Sequence, residues 1–67
     1  MINFLPKVGQ RVIDSWYSGV VGVVRRRTKN NVWIAPDYLS DVPEHIPVYG
    51  GLIRYDRDHA LQFLMLA

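Results

Sequence analysis

The chain has no cysteine among its 67 residues, so neither disulfides nor a thiolate zinc site can supplement its core. It also lacks long apolar runs. The most apolar stretches, residues 20–24 and 63–67, fall far short of the roughly 20 residues that a membrane-spanning helix requires. The opening "MINFLPKVG" carries no basic leader followed by an apolar region, so a secretory signal is not expected and the predicted location is cytoplasmic. Strong charge is missing too: eight Lys and Arg against six Asp and Glu leave a formal charge of +2. Catalytic signatures are absent as well. Ser15, Ser18 and Ser40 have no nucleophile motif around them, and there is no phosphate loop or dinucleotide fingerprint. His45 beside Glu44, and His59 after Asp56 and Asp58, supply metal-type side chains, but nothing in their spacing enforces convergence. The expectation is a non-enzymatic protein without metal or cofactor.

What the chain does have is a folding composition. Hydrophobic residues make up 49% of it, with two tryptophans, four tyrosines and two phenylalanines. A domain of this length buries only about 60% of the surface its unfolded chain exposes. Residues 1–67 therefore form one domain of modest stability. Glycine and proline cut the chain into short runs rich in Val, Ile, Tyr and Trp, which suit pleated strands. A first strand is predicted at 10–14, after a turn bracketed by Pro6 and Gly9. A second runs over 20–27 and a third over "VWIA", joined by "TKNN", where Asn tolerates left-handed backbone angles. Both faces of the second strand are apolar, so Gly22 is expected to mark a bulge or a sharp bend. Residues 36–47 are too proline-rich for a central strand and read as a loop with one helical turn near Ser40 to His45. "VYGGLIRY" reads as a fourth strand with the glycine pair at its start. In the tail, Asp56 can cap a turn through His59, and "LQFLML" is read as a closing strand, although a helix suits its composition equally.

The stretch "VGQRVIDSWYSGVVGVVRRRTKNNVWI" resembles the opening of a Src-homology-3-like small β-barrel of the KOW type. Gly9, Val12, Gly19, Gly22 and Val24 stand roughly where that pattern has its glycines and valines. "RYDRDHALQFL" resembles the fourth strand, one-turn helix and closing strand of such barrels. Two features depart from the pattern: Gln10 replaces an acidic residue, and the 36–47 loop is long. The resemblance implies an all-β, five-stranded antiparallel barrel with a short helical turn before the last strand.

Two surfaces compete for function. Arg25, Arg26, Arg27 and Lys29 concentrate positive charge at the second hairpin, with Arg11 on the neighbouring strand. Phosphate neutralisation requires such residues, and Trp16, Tyr17 and Trp33 are candidate stacking platforms. The partner is then nucleic acid or a nucleic-acid-associated protein. On a β-strand, Arg25 and Arg27 should share one side and Arg26 the other unless a bulge intervenes. The second candidate is the loop, where Tyr38, Leu39, Val42, Ile46, Val48 and Tyr49 could dock a protein, in the manner of an interaction or inhibitor module. These same side chains could instead cover an end of the barrel. Leu64 and Leu66, if they face outward, would leave an apolar edge suited to a homodimer.

Overall fold

Alternation of apolar and polar side chains decides which face of each strand turns inward. In the computed structural model, which describes residues 4–16 and 20–67, the strands are β1 (Arg11–Asp14), β2 (Val21–Arg27), β3 (Asn31–Pro36), β4 (Ile53–Asp56) and β5 (Leu64–Leu66). They form one antiparallel sheet in the order β4-β3-β2-β1-β5. A seven-residue helix, α1 (Arg57–Phe63), joins the two edge strands β4 and β5. The chain is thus all-β, with a short helix before the last strand, in line with the fold class read from the sequence.

Val12, Val24, Val32, Ile34, Ile53, Tyr55 and Leu64 turn inward from the five strands, joined by Leu5, Val20 and Ala60. Asp14 turns inward with them and is 2% exposed. The Tyr55 hydroxyl donates to Asp14 Oδ2 at 2.5 Å, although β4 and β1 lie three places apart in the sheet. In a flat sheet, three spacings of about 4.8 Å would keep these strands near 14 Å apart. The sheet therefore curls strongly enough to bring β4 over β1.

Gly22 has a different role from the expected bulge. Pairing runs unbroken through Gly22↔Pro36 and Val23↔Ala35. A Cβ at Gly22 would lie 2.6 Å from Ile34 Cγ2 and closer still to the Ala35 carbonyl oxygen. The glycine permits close approach of β2 and β3. The bulge falls later, where the register shifts between Val24 and Arg26. The hairpin turn also differs from expectation, because no described non-glycine residue has a positive φ. "TKNN" turns instead through Thr28, whose N–H donates to the Asn31 carbonyl and whose Oγ1 accepts from the Asn31 N–H.

The glycine pair lies before β4 rather than inside it. Gly50 and Gly51 have φ of 57° and 82°, and Tyr49 and Leu52 exchange backbone bonds of 2.8 and 3.0 Å across them. Two consecutive positive φ values are the requirement of a mirror-image hairpin turn. In the preceding loop the helical turn is shorter and earlier than expected, a 3-10 turn over Leu39–Asp41. In the tail the helix is longer. Asp56 caps it by accepting the His59 N–H at 2.8 Å, and it continues through Leu61, Gln62 and Phe63, leaving only Leu64–Leu66 as strand. The aromatic contact of His59 with Phe63, at 4.7 Å between ring centres, accompanies this extension by one turn. Leu64 is buried, whereas Met65 and Leu66 are exposed, so Leu64 and Leu66 do not form one outward face.

Two substitutions test this packing by urea unfolding. Gly22→Ala should lose about 1–3 kcal/mol, as expected for forcing atoms into a filled site; a stability equal to that of the parent would overturn the close approach. Tyr55→Phe removes one donor from a buried carboxylate and should also cost about 1–3 kcal/mol.

Candidate nucleic-acid interface

β2 extends beyond its partner β1. The β1–β2 pairing reaches Arg11↔Val23, and the last links are Gly9 N–H to the Val24 carbonyl and Val24 N–H to the Gln10 carbonyl. Arg25, Arg26 and Arg27 lie past this point, where β2 pairs with β3, and all three are exposed. The bulge resets their directions. Without it, Arg25 would stand opposite Trp33; with it, Arg26 does, and Arg27 stands opposite the inward-facing Val32. The expected grouping of Arg25 with Arg27 therefore gives way to a row led by Arg26.

That row crosses three strands. Arg26 pairs with Trp33, and Trp33 pairs with Arg54 of β4. The Arg26 guanidinium carbon lies 4.8 Å from the centre of the Trp33 ring, within the range of a cation–π contact. Arg54 donates from Nη1 to Asn31 Oδ1 at 2.8 Å, which holds its side chain on the same face. The hairpin tip is tied to the start of α1: the Arg57 N–H donates to the Asn30 carbonyl at 2.8 Å, and Arg57 Nη1 to the Lys29 carbonyl at 3.4 Å. Arg25, Arg26, Arg27, Lys29, Arg54 and Arg57, six of the eight Lys and Arg, thus belong to the hairpin and the β4–α1 segment bound to it, and all are exposed. Asp56 and Asp58 flank Arg57 in sequence, and Asp56 is engaged as the helix cap.

The other expected members of this site lie elsewhere. Arg11 pairs with Asp37 through both guanidinium nitrogens, which balances its charge locally. Trp16 is 60% exposed but follows the end of β1 remote from the arginines, where it packs on Phe63 at 4.8 Å and meets His59 edge-on. Trp33 is half-buried, with Arg26 over its face. Tyr17 lies outside the described residues. Arg54 and Arg57 are additions to the set read from the sequence. Arg54 was accessible to the same reasoning, since Ile53 and Tyr55 on either side are apolar and alternation turns Arg54 outward.

The loop divides. Val42 and Ile46 pack against the core and cover it, while Tyr38, Leu39, Val48 and Tyr49 are exposed, Tyr38 by 68%. Among the described residues, no three His, Asp or Glu side chains gather in a group that could hold a metal ion. No described helix is long and apolar enough to cross a membrane. In comparisons with known proteins, no family model, no curated protein and no solved structure matches the chain.

Proposed function

We propose that this chain is a small non-enzymatic binding module, built as a Src-homology-3-like barrel, that engages nucleic acid or a nucleic-acid-associated protein through its basic hairpin. The observation that carries this reading is the row Arg26–Trp33–Arg54 beside the exposed Arg25, Arg27, Lys29 and Arg57. A guanidinium laid on an indole is held in place with its N–H edge available, and that edge matches the geometry of phosphate oxygens. Trp33 serves here to orient Arg26 rather than as an open platform for bases. The net charge of the whole chain is small because most of its acids lie in other segments; the local field at the hairpin is what a phosphate chain would meet. The strand order and the helix before the last strand support the small-barrel part of the proposal.

A second reading is favoured by one observation, the exposure of Tyr38, Leu39 and Tyr49 on a segment whose other apolar residues are folded inward. Large exposed aromatic and aliphatic side chains are the usual anchors of a protein interface. In this reading the loop docks a protein and the arginines contribute solubility.

Titration of a labelled oligonucleotide at several salt concentrations separates the two. Affinity should fall steeply with salt, and Arg26→Ala and Arg54→Ala should each weaken binding and flatten the log–log slope by about 0.7–0.9. Arg11→Ala, whose partner is Asp37, should leave the slope unchanged. Absence of oligonucleotide binding, or binding indifferent to salt, would sink the first reading. For the second, a protein partner retained by the Arg25, Arg26 and Arg27 alanine variant should be lost on Tyr38→Ser with Leu39→Ser; retention through both changes would count against the loop.

A further inference from the structure

We propose that the basic face prefers single strands, because a cavity at the edge of β4 accepts one unpaired nucleobase. This rests on the nucleic-acid reading above. The cavity measures about 160 Å³ and lies between the β4 edge, Ile46 and Pro47 of the loop, and His59 of α1, with Ile53 and Tyr55 beneath. A cavity of about 150 Å³ is enough for a benzene molecule, so this one suits a single planar ring system rather than a longer segment. Tyr55 and His59 bring two aromatic rings to its wall, 5.4 Å apart and tilted by 58°. Bases stack on such faces whatever their sequence.

Backbone register supplies the polar contacts. Ile53 and Tyr55 stand opposite Ile34 and Val32, and the Arg57 N–H bonds the Asn30 carbonyl. The alternation of an antiparallel ladder then directs the odd-numbered residues toward β3 and turns the N–H and C=O of Arg54 and Asp56 to the opposite edge, which borders the cavity. Asp56 is engaged as the cap of α1, which leaves Arg54 to offer one donor and one acceptor side by side. A base edge with an adjacent acceptor and donor, as adenine carries, complements that pair. The same Arg54 stands in the cationic row, so one residue adjoins both the phosphate track and the cavity. An extended peptide adding to this edge would need several open residues in line, and Ile46, Pro47 and His59 bound the space around Arg54. A paired base would first have to leave its stack, which costs energy that a single strand does not spend.

Fluorescence anisotropy at one salt concentration tests this with short labelled DNA and RNA strands of mixed sequence. Each intact strand is compared with the same strand made abasic throughout and with the corresponding duplex. The intact strand should bind about tenfold or more tightly than the abasic one and more tightly than the duplex. Ile46→Phe, which narrows the cavity, should bring the intact strand down to the abasic level. Because Ile46 also packs on the core, the abasic comparison on the unsubstituted protein and the Arg54 amide resonance stand beside it; that resonance should move with the intact strand and not with the abasic one. Equal affinity for intact, abasic and duplex forms would overturn the cavity while leaving the basic face as the binding site. No binding to any of them would overturn both.

Discussion

The hydrogen bond from Tyr55 to Asp14 joins two strands that the sheet order keeps apart, and much else follows from that closure. A buried carboxylate is costly unless its oxygens find donors. Here Oδ2 accepts from Tyr55, and Oδ1 accepts the Trp16 N–H at 2.7 Å, where the chain leaves β1. The curl that this bond requires brings α1 across the open side of the sheet, so that Ala60 becomes buried and β5 can return to β1. It also sets the edge of β4 against His59 and the loop, which forms the cavity.

The basic end of the molecule depends on a mismatch of strand lengths. β1 has four residues and β2 has seven, so the arginines run on beyond the β1 pairing with β3 beside them. Exposed charge belongs at such an extension, and no burial penalty opposes it. The bulge then turns that charge from an ordinary solvated strand end into an ordered row, because shifting the register by one residue places Arg26 over an indole. The Arg11–Asp37 pair withdraws one further cation from the set; an exposed ion pair of this kind contributes little stability, about 0–1 kcal/mol.

Several of these features were legible in the sequence. The phase of Val12 and Asp14 in β1, and of Ile53 and Tyr55 in β4, follows from two-residue alternation, and so do the inward-facing carboxylate and phenol. The Asp56 cap was legible from the residue type and its position before a helical run. The hairpin arginines were identifiable as a cluster. Their facing was not, since the bulge is a choice of register between two strands and leaves no mark in the run "VVRRR". Gly22 was visible as an anomaly, but bulge, bend and close approach all require the same residue. For the tail, seven residues of mixed propensity suited strand and helix alike, and the helical answer comes with the packing of His59 and Phe63 around Trp16.

By itself the sequence determined the class of the protein: one small all-β domain, without disulfides or membrane-spanning helix, carrying a basic hairpin between valine-rich strands. Those properties are local, set by residue type, alternation and turn chemistry. Only the tertiary structure decided which cations share a face, which acid neutralises Arg11, which loop side chains cover the core, and that a cavity adjoins Arg54. Each of those depends on contacts between residues distant in the chain, and such contacts are fixed by register and curvature, which no short run of residues encodes.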